Sequence, residues 1–152
     1  MTGPVFVDTN VLVYDRDRRD DRKHGQARAW MAALWRQRGL GVVSTQVLTE
    51  FYWTVTRKLR PGLDADVARR YVRSLCAWEV VSVDQAAISD AWAIQERFEL
   101  SFWDSLIVAA ARIGRCGVLL TEDLQDGHDL DGLLVVSPFV HPPDLLAANS
   151  AR

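Results

Sequence analysis

Four acidic residues stand at places where a short apolar run meets a polar turn or a helix. Asp8 closes Val5-Phe6-Val7, Glu50 lies in Thr49-Glu50-Phe51, Asp104 follows Ser101-Phe102-Trp103, and Asp123 follows Leu119-Leu120-Thr121-Glu122. Carboxylates within a few ångströms raise one another's pKa and repel unless a cation stands among them. Oxygen-only ligation suits a hard ion: Mg²⁺ typically takes one or two carboxylates and keeps several waters, and Mn²⁺ can substitute. Such a site can activate water and neutralise charge on a phosphodiester, with one ion or with two about 4 Å apart. If these acids meet, the sequence favours metal-assisted hydrolysis of a phosphate ester.

Whether they meet depends on the elements that carry them. Runs of strand character occur at 5–7, 41–43, 80–83, 118–121 and 133–136, and helical spacing at 24–37, 45–59, 64–78, 84–98 and 102–113. This alternation, with strands apolar on both faces, predicts an α/β fold: three α/β/α layers, Rossmann-like, around a mostly parallel sheet. Parallel strands joined by right-handed crossovers end at one edge, and the intervening helices begin there. That edge receives Asp8 after the first strand, Glu50 in the second turn after the second strand, Asp104 in the first turn before strand 118–121, and Asp123 just past it. Each acid alone has a plainer explanation. Asp8 could cap a turn, Ser101-x-x-Asp104 fits a capping box, Asp123 could be ordinary loop, and Glu50 could face solvent, although Leu48, Phe51, Tyr52 and Trp53 make its stretch look buried. Their joint placement is what favours a site. Arg60-Pro61-Gly62 is a helix stop, Asp64 and Asp84 are candidate N-caps, and the charge-balanced stretch 15–21 reads as a solvated loop.

The 152 residues, 49% of them hydrophobic, suffice for one domain with its own core, expected over 5–140, with a C-terminal tail at 141–152 whose last residues, 147–152, look frayed. Lys plus Arg number 18 against 20 Asp plus Glu, so a protein that grips nucleic acid with its whole surface is excluded and any such contact must be local. The longest apolar stretches, such as 106–111, are far too short to span a bilayer, and no basic segment precedes a long apolar one. A cytoplasmic location is expected. Cys76 and Cys116 lack CxxC spacing and read as buried free thiols, with no zinc site expected.

Val5-Phe-Val-Asp8-Thr9-Asn10-Val-Leu, Thr49-Glu50-Phe51, Ser101-Phe102-Trp103-Asp104-Ser105-Leu106-Ile107 and Leu119-Leu120-Thr121-Glu122-Asp123-Leu-Gln-Asp126-Gly127 resemble, in order, the successive motifs of PIN-domain proteins, above all the VapC-type toxins of type II toxin-antitoxin pairs. The resemblance runs from Val5 to about Phe139 and implies a Mg²⁺-dependent endoribonuclease, usually a homodimer, inhibited by a cognate VapB-type antitoxin. Asp8, Glu50, Asp104 and Asp123 match the family's acidic quartet. By that match Asp8 and Asp104 are the surest metal ligands, Asp123 helps hold a second ion or the water network, and Glu50 orients or deprotonates the attacking water. Thr9, Asn10 and Thr121 could orient the carboxylates by hydrogen bonds. Glu122 and Asp126 compete with Asp123 for the fourth place, which Thr-x-Asp assigns to Asp123. Arg16, Arg18, Arg19 and Arg22 follow the first strand and are candidate RNA contacts. Phe51, Tyr52 and Trp53, with Trp30 and Trp35, could line an antitoxin groove or belong to the core.

Two other functions compete. A non-catalytic PIN-fold binding module could use the acidic pocket to receive a basic partner segment. A phospho-accepting Mg²⁺ domain would need a lysine near the strand edge, and Lys23 and Lys58 lie in or beside helices instead.

Overall fold

The computed structural model describes residues 3–146. Its centre is a six-stranded sheet of β1 (Val5–Val7), β2 (Gly41–Ser44), β3 (Glu79–Val81), β4 (Val118–Leu120), β5 (Asp129–Leu130) and β6 (Leu133–Val136), in the order β3-β2-β1-β4-β6-β5. All pairings are parallel except that of β5 with β6. Val5, Phe6 and Val7 of β1 and Val118, Leu119 and Leu120 of β4 are all buried, as strands covered on both faces must be. The chain winds from β1 outward to β3, then returns to place β4 on the other side of β1. The switch in strand order therefore falls between β1 and β4, which is where open α/β sheets bind ligands.

The connections supply the outer layers. From β1 to β3 run α1 (Thr9–Arg16), α2 (Asp21–Arg36), α3 (Thr45–Trp53), which continues as a π-helical turn over Thr54–Lys58, and α4 (Ala65–Leu75). The return to β4 uses α5 (Gln85–Phe98) and α6 (Phe102–Ile113), and right-handed crossovers in opposite directions put the two sets on opposite faces. Helix α6 is buried without a break over 105–111 because it lies between the sheet and α5. Gly114 ends it in close contact with the sheet, where an added Cβ would stand 3.0 Å from Val42 Cγ1. The expected three-layer α/β/α fold is the observed one. Among the described residues no helix is long and apolar enough to cross a membrane.

Several local expectations change. Stretch 15–21 is a largely exposed loop over 17–20, but the end of α1 and the start of α2 fall within it, and Asp15 is 5% exposed. Helix α1 escapes a sequence reading because it has only eight residues, among them Thr9, Asn10, Val11 and Val13, which have weak helix propensity. The two-residue β5 is also unforeseen, and helix 45–59 is α-helical only to Trp53. Asp84 caps α5 by accepting from the Ala87 N–H at 3.0 Å, whereas Asp64 occupies its cap position without a side-chain bond. Cys76 is exposed, not buried; Cys116 is half-buried, and burial pushes its thiol up to about 12. The tail expected at 147–152 lies outside the described residues.

Asp15 joins three helices. Tyr71 Oη of α4 donates to its Oδ2 at 2.6 Å, and Arg28 Nη1 of α2 stands 3.6 Å from its Oδ1. Burial raises the Asp15 carboxyl above its ordinary range, opposed by Tyr71 and then by Arg28. Replacing Tyr71 by Phe leaves Oδ2 without its donor and is predicted to cost about 1–3 kcal/mol of stability. Urea unfolding followed by circular dichroism checks this, and an unchanged midpoint would contradict it.

Candidate active site

Asp8 leaves β1 at the switch point and serves as the N-cap of α1, its Oδ1 accepting from the Thr9 N–H at 2.7 Å. Its other oxygen accepts from the Thr121 hydroxyl at 2.8 Å. That hydroxyl, at the end of β4 and fully buried, also accepts from Asn10 Nδ2 at 3.1 Å and from the Asp123 N–H at 3.1 Å. A hydroxyl has one proton to give, and here it goes to Asp8. Asn10 completes the clamp: its Nδ2 reaches Asp123 Oδ2 at 3.2 Å and Asp8 Oδ2 at 3.4 Å, while its Oδ1 accepts from the Glu122 N–H at 3.3 Å.

Glu50 enters from the second turn of α3. Thr9 Oγ1 donates to its Oε2 at 2.9 Å and Gln46 Nε2 to its Oε1 at 3.0 Å, so both oxygens are held in place. Asp104 stands in the first turn of α6, where Ser101 Oγ accepts from its N–H at 3.1 Å. The Ser101 cap is therefore real, but it uses the backbone of Asp104 and leaves the carboxylate without a hydrogen bond or ion pair among the described residues.

Electrostatics tie the four acids together. The Asp8 carboxyl is pushed up to about 7, first by desolvation, with the Asp123 and Glu50 charges adding to it against the Thr121 and Thr9 bonds. Asp123 keeps solvent access at the rim, yet its carboxyl is also raised, first by partial desolvation and then by Glu122, Asp104 and Glu50. No Lys, Arg or His is ion-paired with any of the four among the described residues.

The other two acids of the loop after β4 have different partners. Glu122 Oε2 binds Lys23 Nζ at 2.7 Å. Asp126 accepts from the Ser137 N–H at 2.8 Å and lies 2.8 Å from His141 Nε2. Lys23 lies in a helix, α2, as expected, but its pairing with Glu122 in the loop after β4 was not foreseen. Only the tertiary fold reveals that pairing, since 99 residues separate the two.

The donor set is oxygen-only with no protein cation paired to it among the described residues, which fits a hard divalent cation. Among the described residues no three His, Cys, Asp or Glu side chains close around an ion unaided. Mg²⁺ typically takes one or two carboxylates and keeps several waters, so Asp8 and Asp104 are the residues that would hold it.

The remaining candidates divide. Arg16, Arg18 and Arg19 line a cleft at the far end of α1, whereas Arg22 lines a separate one with Trp30, Pro138 and Val140. Trp30 and Phe51 are fully buried and belong to the core, although Trp30 also forms part of the wall of the Arg22 cleft. Trp35 stacks on Trp78 with ring centroids 4.9 Å apart, and Trp53 is exposed.

The PIN-domain family model matches residues 5–125, and the chain belongs to that family. A toxin–antitoxin complex from Klebsiella pneumoniae is similar in structure, with a TM-score of 0.62 at 19% identity over 88% of this chain and 97% of that one. The sarcin–ricin-loop-cleaving toxin VapC20 of Mycobacterium tuberculosis gives 0.61 at 26% identity over 76% of this chain and 86% of that one. The VapBC2 complex of Rickettsia felis, bound to a fragment of its promoter DNA, gives 0.60 at 15% identity over 88% and 97%. No curated protein matches the chain.

Because the native state holds the Asp8 proton to about pH 7 and an unfolded chain releases it near the ordinary value of 3.8, folding takes up a proton between those limits. The stability from this group is present at low pH and lost as pH rises through 7. Asp8→Asn, which keeps an acceptor oxygen, is predicted to raise the melting temperature at pH 8 in EDTA, with the gain shrinking toward pH 4. Calorimetry at the two pH values checks this, and an equal difference at both would contradict it.

Proposed function

We propose that the protein is a Mg²⁺-dependent endoribonuclease of the VapC toxin type. The observation that carries this reading is the meeting of four carboxylates, from segments far apart in the chain, at the switch point of the sheet with no protein cation paired to any of them. The VapC-like fold supports the same class.

Asp8 and Asp104 are the metal ligands of this reading, with Asp123 at the rim for a second ion or the water network. Bound Mg²⁺ supplies Lewis-acid stabilisation of the charge that grows on the phosphate. Thr121 and Asn10 fix the directions of Asp8 and Asp123, and Thr9 fixes Glu50, so the acids need little reorganisation when substrate arrives. Glu50, held from both sides by Thr9 and Gln46, orients the attacking water and accepts its proton. Hydrolysis breaks one P–O bond of the RNA backbone and leaves two fragments.

The same class carries its partners: a homodimer in the cytoplasm, and a VapB-type antitoxin that silences the enzyme. An acidic pocket of this kind accepts an arginine fork well, so a basic antitoxin segment in the site would block metal and substrate together.

Cleavage of cellular RNA by purified variants tests the roles. Asp8→Asn and Asp104→Asn are predicted to abolish cutting while the fold persists. Glu122→Gln, which removes the Lys23 ion pair and the Glu122 charge that raises the Asp123 carboxyl, is predicted to keep much more activity than Asp123→Asn. Full activity in folded Asp104→Asn, or the reverse order at 122 and 123, would contradict the assignment.

A further inference from the structure

Helices α1 and α3 carry Asp8 and Glu50 near their starts, and at their far ends they bound a second feature. A cleft of about 430 Å³ lies between the end of α1 and the turn after α3, lined by Arg16, Asp17, Arg18 and Arg19 on one side and by Val55, Leu59, Pro61 and Leu63 on the other. Its apolar wall is held against the π-helical turn. The Leu63 N–H donates to the Val55 carbonyl at 2.8 Å, and an added Cβ at Gly62 would stand 2.7 Å from that oxygen. Arg19 Nη2 bridges the two sides by donating to the Pro61 carbonyl at 3.1 Å.

The basic side is only partly compensated. Arg19 Nε lies 3.5 Å from Asp17 Oδ1. Arg16 stacks over the Tyr71 ring at 5.8 Å, and its buried Nε has no hydrogen-bond partner. Arg18 is exposed and makes no ion pair or hydrogen bond among the described residues. An apolar wall beneath an arginine rim matches the two halves of a nucleotide, a flat base and a phosphate. The eight residues of α1 span about 12 Å, which places the cleft a few nucleotides from the acids along one strand.

We infer that this cleft is an RNA subsite that takes one unpaired base of the substrate against Val55, Leu59 and Leu63 while Arg18 and Arg16 hold its phosphate. The inference rests on the ribonuclease reading and adds a second anchor to it. Its occupant is a single-stranded segment, since a base locked in a duplex cannot turn its face to the wall.

The test uses the full chain carrying Asp8→Asn, so that RNA is bound and not cut. Fluorescein-labelled oligoadenylates of increasing length, and an abasic oligomer matching the longest, are titrated at several salt concentrations. Arg18→Ala is predicted to weaken the long oligoadenylate about fivefold, the scale of one exposed ionic contact, and to flatten the salt slope by about one. Arg18→Lys should restore most of the slope, and the abasic oligomer should bind more weakly than its parent. Dinucleotides, too short to reach the cleft, should not distinguish Arg18→Ala from its parent. Unchanged affinity and slope in Arg18→Ala, or an equal loss with dinucleotides, would overturn the subsite. Unchanged RNA binding together with lost binding of a polyglutamate peptide would assign the cleft to an acidic protein segment and overturn it equally. Wild-type protein that cuts RNA while Arg18→Ala binds normally would sink the subsite alone; wild-type protein that neither cuts nor binds would sink the ribonuclease reading first.

Discussion

Like charges gathered at a desolvated sheet edge repel one another, and the rest of this site is arranged around holding them there. The buried hydroxyl of Thr121 gives its proton to Asp8 while accepting from Asn10 and from the backbone of Asp123. Asn10 spans the same gap from the other side. These bonds hold Asp8 against the desolvation and charge that push its carboxyl up to about 7. A scaffold that merely needed a stable edge would not put four uncompensated acids at its switch point. A divalent cation would relieve the repulsion among them, which is the ground of the metal-site reading proposed above.

The topology makes the convergence possible with short strands. Asp8 and Thr121 end adjacent parallel strands, with Val7 opposite Leu120, so they meet across a single strand spacing. Glu50 and Asp104 come from helices on opposite faces of the sheet and reach the same edge because crossover helices begin there. Loop acids whose partners lie elsewhere are thereby sorted from the site: Glu122 answers Lys23, and Asp126 answers His141 and Ser137. Of the three carboxylates, Asp123's is the one that accepts from Asn10.

Much of this was legible in sequence because strand ends and helix starts are written in local pattern. The strands at 5–7 and 133–136 and helix 102–113 have the expected bounds, and the remaining expected strands start or end within two residues of the observed ones. What local pattern did not carry was set by tertiary contacts. Helix α1 has weak propensity, so a charge-rich stretch that looks solvated hides the buried Asp15, whose partners Tyr71 and Arg28 lie on other helices. Lys23 looks remote until α2 folds it back to Glu122. The aromatic run around Phe51 mixes core and surface, since positions two apart on a helix face different ways: Phe51 is buried and Trp53 exposed.

The central claim is that the acidic cluster works with a divalent cation to cut RNA. The most direct measurement is incubation of total cellular RNA with purified, antitoxin-free protein in Mg²⁺ or in EDTA, with fragment ends mapped by sequencing. The account predicts discrete cuts in Mg²⁺ that disappear in EDTA. Cuts that persist undiminished in EDTA, or no cuts from folded protein shown to bind Mg²⁺, would contradict it.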